Sequence, residues 1–336
     1  MIRYLYSFLI SFFISFLITP LLINIAHKYN IFDKPHTPVK THKIATPYLG
    51  GFAIWLGFLI ALLITRYTTS FPTGTLRSLR GILLGATFIV VIGFIDDIKT
   101  IGFKAKFLWQ IVVAIILINF DIKIKFIKPE YIADILTIIW VVGIINAINI
   151  VDIMNGLASG ISFIAALAFL FIAFPTEEIY VNFAAAALAG GIIGFVKYNF
   201  PKAKIFMGDT GSMFLGFTLA ALSLGTSYTK INNAAIYSPI LILGIPIFDT
   251  LYVMYLRIRS GKSPFLGSKD HFALRLEKFG LTRTNVVILI WIISAFLSFS
   301  AFLITRVSLL VAIIIYATII GLSIAGGWKL SKIKME

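Results

Sequence analysis

The chain has 336 residues, of which 59% are hydrophobic and 13% charged, and its mean hydropathy is +0.98. Soluble domains carry about 25% charged residues, so this composition excludes an ordinary water-soluble protein and indicates an all-α, polytopic membrane protein. The net charge of +15 comes from Lys and Arg scattered among short loops, which argues against nucleic acid as a partner, and the absence of cysteine excludes disulfide and thiol chemistry.

Runs of the ~20 apolar residues needed to cross hydrocarbon are predicted at about 4–26, 48–65, 79–95, 105–120, 131–148, 158–174, 180–197, 211–228, 235–256, 285–304 and 307–327. The first is too long for a signal-peptide core and lacks a small-residue cleavage site, so it reads as a retained span. Eleven spans put the termini on opposite sides. The loops 27–47, 98–106, 197–204 and 257–283 with the tail from 329 hold 20 basic residues, and the opposite set holds 9. The positive-inside rule then places the N-terminus outside and the C-terminus in the cytoplasm. The outer loop 121–130, with Lys123, Lys125 and Lys128, is a mild exception. With no long linker or internal repeat, residues 1–336 are expected to form one integral domain of the plasma (inner) membrane. Its cytoplasmic active-site loops fall at about 27–47, 96–106, 146–158, 197–212 and 257–284.

Five polar clusters share that cytoplasmic side. The first runs from Asp33 through His36, Lys40, His42 and Lys43 to Gly50 and Gly51, whose double glycine lets a helix begin with its backbone close to a ligand. The second is Asp96-Asp97, followed by Lys99, Lys104 and Lys106. Charge near a span costs roughly 2.5–3.5 kcal/mol at the bilayer centre, so such acids are read as functional. Acids followed by lysines suit a metal-bound, phosphate-bearing substrate, although a solvated helix end with internal ion pairs would look the same. In the third cluster Asn146, Asn149 and Asp152 recur every three residues, ahead of Asn155 and Gly156. One helix face of amides and a carboxylate reads a base or ribose, or else glues helices together. The fourth, Phe206 to Ser212, sets Asp209 between glycines at the start of a span, where it serves a divalent cation, a helix cap or both. The fifth holds Arg257, Arg259, Lys269, Asp270, His271 and Arg275, with forked donors for phosphate beside a proton-carrying histidine. Asp249 falls within a span, and either lines the same cavity or pairs with a basic neighbour.

Taken in order, these five clusters resemble the polyprenyl-phosphate N-acetylhexosamine-1-phosphate transferases over about residues 30–280. The resemblance implies that a UDP-N-acetylhexosamine donates its sugar-1-phosphate to undecaprenyl phosphate in the membrane lipid, releasing UMP. It implies Mg²⁺ as cofactor, with Mn²⁺ as a substitute, and is compatible with a homodimer. By the same resemblance Asp209 is the principal metal ligand, with Asp97 and Asp152 as further ligands. Asp96 and Asp97 form the catalytic pair with His271, and Phe206 stacks near the uracil. Lys43, Asn146, Asn149, Asp152 and Asn155 line the nucleotide site, while Lys104, Arg257 and Arg275 meet phosphate oxygens. Asp96 or Asp97 deprotonates the lipid phosphate, which attacks the β-phosphorus directly; a phospho-aspartyl route is the rival.

Three positions depart from the family pattern. Asn155 replaces a second aspartate, His271 is what remains of a histidine cluster, and Val39 stands where an arginine is usual. The histidine departure favours a polysaccharide-initiating member over phospho-MurNAc-pentapeptide translocase. The competing class is a non-enzymatic transporter, which predicts acids near the bilayer midplane and repeat symmetry; here most acids sit at one face and no repeat is visible. A CDP-alcohol phosphotransferase would bunch its aspartates in one helix segment, whereas these are spread over several loops.

Overall fold

Each predicted apolar run becomes a helix or a helix pair in the computed structural model, which describes residues 2–33, 45–69, 74–174, 179–263, 268–333 and 335. In chain order these are α1 (Ile2–Tyr29), α2 (Gly50–Thr68), α3 (Thr75–Ile98), α4 (Phe103–Asn119), α5 (Glu130–Val151), α6 (Leu157–Ala173) and α7 (Ile179–Asn199). They continue with α8 (Gly208–Gly225), α9 (Ser238–Ile242), α10 (Gly244–Arg259), the short α11 (Phe272–Lys278), α12 (Arg283–Ile304) and α13 (Leu309–Ser331). One two-residue antiparallel ribbon pairs Phe32 with Pro47 and Asp33 with Thr46. The fold is thus all-α and polytopic.

Seven of the described helices are long and apolar enough to cross a membrane: α1, α2, α3, α5, α7, α12 and α13. The helical segment Asn233–Ile242, which ends in α9, and α10 meet at a bend of 71° and make an eighth if counted as one span. The other three predicted runs are shorter or less apolar for a physical reason. α4 and α6 have 17 residues each, and α8 has 18 with many glycines, serines and threonines. α8 is buried from Thr210 to Ser223 and packs against α2, α3, α5 and α6. A helix that faces protein on all sides needs small residues for close approach more than it needs lipid-soluble ones. The peripheral helices show the reverse pattern: α13 exposes Leu310, Ile314, Leu322 and Ile324 as a lipid-facing surface.

Small residues also fasten α1 to the bundle. Ser7, Ser11, Ser15 and Thr19, one per turn, are buried along the face that meets α2 and α7. There a Cβ on Gly190 would come within 2.1 Å of the Phe8 carbonyl oxygen. The C-terminal ends of α3, α5 and α7 gather with the N-terminal ends of α4, α8 and α12 and the middle of α10 around one cleft.

Candidate active site

The cleft has a volume of about 1440 Å³ and is lined from Asp33 and Tyr48, from both ends of the α3–α4 break, from the C-terminus of α5, and from the N-terminus of α8. Its opposite wall comes from α10, α11 and the start of α12.

The N-terminus of α8 organises the first wall. A helix start leaves backbone N–H groups without intrahelical partners and attracts anions. Met207, at the cap position, supplies no side-chain bond. The cap comes instead from α3: Asp97 accepts the N–H of Asp209 (2.8 Å), the N–H of Thr210 (3.0 Å) and the Thr210 hydroxyl (2.6 Å). Gly208 permits this contact, having φ +68° and a Cα so close that a Cβ would lie 2.6 Å from the Asp97 Oδ2. Gly51 plays the matching part on the other flank, donating its N–H to Met207 O (3.0 Å) where a Cβ would meet Gly211 N at 2.3 Å. The double glycine therefore brings α2 against the turn that opens α8.

Asp209, so placed, turns its carboxylate into the cleft with the side chain 31% exposed. Its Oδ1 accepts from the Asn149 amide (2.8 Å), which also donates to Ser212 Oγ (2.8 Å). Its Oδ2 accepts from Lys106 Nζ (2.8 Å), and the same ammonium ion-pairs with Asp96. Asp96 is only 4% exposed and takes the N–H of Ile101 (2.7 Å) on its other oxygen. Asp152, just past the end of α5, has its carboxyl pushed up to about 7, first by burial and then by the negative charges of Asp209 and Asp97.

The second wall is built on a buried pair. Asp249 is fully buried in α10; its Oδ2 lies 2.7 Å from His271 Nδ1 and its Oδ1 accepts the N–H of Phe272 (3.1 Å). A carboxylate on one ring nitrogen fixes the orientation and tautomer of the imidazole. His271 lines the cleft, so Nε2 is the nitrogen left for chemistry. This resolves the two readings of Asp249 in favour of pairing.

Residues 79–227 match the family model for glycosyl transferase family 4. The chain is 34% identical over 310 residues to a probable undecaprenyl-phosphate N-acetylglucosaminyl 1-phosphate transferase of Bacillus subtilis (strain 168), covering 90% of this chain and 85% of that one. This protein belongs to the polyprenyl-phosphate N-acetylhexosamine-1-phosphate transferases of that family. A phospho-N-acetylmuramoyl-pentapeptide-transferase of Listeria monocytogenes is 30% identical over 81% of this chain and 87% of its own. An undecaprenyl-phosphate alpha-N-acetylglucosaminyl 1-phosphate transferase of Escherichia coli (strain K12) is 27% identical over 82% and 76%.

Of the site residues expected for this family, Asp96, Asp97, Asn146, Asn149, Asp152, Asn155, Phe206, Asp209 and His271 all line the one cleft. Several hold other tasks there. Asn146 donates to Gln110 Oε1 (2.6 Å) and Val142 O (2.7 Å), the helix-gluing role, and Asn155 donates to Pro201 O (3.2 Å). Asp97 lines the cleft with both oxygens accepting from the start of α8, and so anchors the turn that carries Asp209.

Three expected residues stand elsewhere. Lys104 is exposed on α4 and does not line the cleft, because two residues along a helix turn a side chain about 200° away from Lys106. Arg257 donates through Nε to Ser263 O, closing the chain after α10. Arg275 is buried, donating to Asp270 and to the carbonyls of Leu330 and Ile333 at the end of α13. Neither arginine is among the residues that line the cleft. Lys43 lies outside the described residues. Conversely, Thr210 donates its hydroxyl to Asp97 with no signal of its own in the sequence, and of the lysines after Asp97 it is Lys106 that meets the acids.

Among the described residues no three Asp, Glu or His side chains form a ready metal cage. Mg²⁺ does not require one, since it is commonly held by one or two carboxylates with waters and substrate phosphates. Asp209 and Asp96, already sharing one cationic group, fit that donor set.

Proposed function

We propose that this transferase moves N-acetylhexosamine-1-phosphate from a UDP-sugar to undecaprenyl phosphate, releasing UMP, at the cytoplasmic face of the plasma membrane. The observation that carries the reading is the contact of Asp97 with the backbone at Asp209, which brings acids from α3 and α8 into one cleft. The cleft opens at the bundle end that bears the more basic loops, as a site for cytosolic nucleotide requires. All eleven helices or helix pairs then cross the membrane, with the N-terminus outside and the C-terminus inside.

In this reading Asp209 would hold Mg²⁺ together with waters and substrate phosphates, and the ion would supply charge neutralisation to the diphosphate, leaving Asp96 as the base. Asn149 keeps the Asp209 carboxylate turned into the cleft. Phe206, partly exposed on the cleft wall, offers its ring to the uracil, with Asp152 and Asn155 beside it for polar edges. Asp96 takes the proton of the lipid phosphate, whose oxygen attacks the β-phosphorus in line with departing UMP. The phospho-aspartyl route has little support at Asp97, whose oxygens accept three hydrogen bonds. His271, held by Asp249, stands on the facing wall to meet the leaving phosphate.

The relatives named for N-acetylglucosaminyl transfer make UDP-N-acetylglucosamine the first donor to test. Purified protein should convert undecaprenyl phosphate and radiolabelled UDP-N-acetylglucosamine to a lipid-linked product, reversibly stopped by chelation. Failure with this donor and with a panel of other UDP-N-acetylhexosamines would overturn the reading.

A further inference from the structure

Lys106 occupies an unusual place. Its ammonium is shared between Asp96 on α3 and Asp209 on α8, so one side-chain cation serves two of the acids that line the cleft. Both Asp209 oxygens are thereby engaged, Oδ1 by Asn149 and Oδ2 by Lys106. Each oxygen keeps a second lone pair, so what opposes a divalent ion at Asp209 is the positive charge of Lys106 and not the neutral amide of Asn149. Asn149 is fixed twice, since its amide also bonds Ser212 Oγ from the end of a helix. Lys106 hangs on a flexible four-carbon stem and bonds by charge rather than by a rigid fork. Its side chain is 25% exposed, giving it a way out toward the cleft that it already lines.

We infer that Lys106 is a built-in counter-ion that a divalent cation displaces from Asp209, and that this exchange hands its ammonium to a phosphate in the cleft. The inference rests on the cation-dependent reading given above and adds an order of events to it. Two cations at close range on one carboxylate repel each other, so cation and ammonium compete for Asp209. A phosphate-bearing substrate then meets both: the ion on the acids and the released ammonium beside it. Before exchange the ammonium holds the two acids together; after it, the same group serves the substrate. Cation and phosphate binding are therefore coupled through one side chain, with no movement of a helix.

The test measures binding without turnover. Mn²⁺ titration of the full-length protein in detergent, with no nucleotide or lipid acceptor, is followed by electron paramagnetic resonance. Lys106→Met and Lys106→Gln should bind Mn²⁺ at least about fivefold more tightly than the wild type, the lower end of ordinary coupling between two ligands. Asp209→Asn should bind it more weakly. If Lys106 merely holds the fold, both substitutions should weaken Mn²⁺ binding, and that result overturns the exchange. Because removing a buried countercharge risks misfolding, a second measurement uses the wild type alone. Amine-reactive labelling read by mass spectrometry should accelerate at Lys106 when Mg²⁺ is added, with Lys99 and Lys104 unchanged. Unchanged labelling at saturating Mg²⁺ would also overturn it. Wild-type binding of Mn²⁺ with no gain in the variants defeats the exchange and leaves the cation reading standing; no Mn²⁺ binding by any form defeats both.

Discussion

The two walls of the cleft are built on different rules. On the acid wall Asp96, Asp97 and Asp209 are held by partners from α3, α4, α5 and α8, and most bonds join residues 60 or more positions apart. On the histidine wall a single buried carboxylate, Asp249, positions His271 across 22 residues. The first is a network whose members fix one another's positions; the second is a pair. Loss of one member should therefore spread on the acid wall and stay local on the histidine wall.

The largest effects are expected at the shared acids. Asp209→Asn should lower transfer by about 10³-fold, the upper range for removing a group that stabilises developing charge, with the protein still inserted and folded. Asp97→Asn should cost transfer on the order of 10²–10³-fold, and should also lower the Tm in detergent more than Asp209→Asn does. The reason is that an amide in place of Asp97 weakens three hydrogen bonds at the start of α8, and hydrogen bonds to charged groups contribute about 1.5–3 kcal/mol each. Equal Tm for the two variants would mean that Asp97 does not anchor α8.

The histidine wall should respond less and more simply. His271→Ala should reduce kcat by about 10²-fold, the low end for a positioned acid or base. Asp249→Asn should fall between wild type and His271→Ala, because it keeps the ring but loses the carboxylate that orients it. The double variant should be no worse than His271→Ala alone. Additive losses in kcat would show that Asp249 acts on something besides the histidine.

How much of this was legible in the chain depends on the kind of information asked for. Helix positions follow from lipid: long apolar runs must satisfy their backbone internally, so α1, α3, α5 and α12 begin and end close to their predicted limits. The gathering of distant acids was legible too, because loop charge sorts helix ends to one side. Division of labour within a motif was not. Asp96 and Asp97 are adjacent, yet about 100° of helical turn sends one to Lys106 and the other to the start of α8. The choice between Lys104 and Lys106 did have a signal. Lys106 and Gln110 stand four apart and share one face of α4, and Gln110 is buried against Asn146. A lysine and a glutamine on one stripe of an apolar helix mark the face that looks inward.

The smallest effects on catalysis are expected where basic residues turned out to brace the chain. Lys104→Ala should leave transfer near the wild-type rate, since the side chain is exposed away from the cleft. Arg275→Ala separates stability from chemistry more sharply. Its guanidinium is buried, ties Asp270 to the carbonyls closing α13, and lies 5.8 Å from the Tyr252 ring. Truncation leaves those groups without their donor in a low-dielectric setting, which costs about 1–3 kcal/mol for each unsatisfied group. The Tm should therefore fall and the end of α13 should become accessible to protease, while KM for the nucleotide sugar stays close to normal. A large rise in KM with unchanged Tm would instead return Arg275 to phosphate binding, and with it the view that the arginines of the α10–α11 region meet the substrate directly.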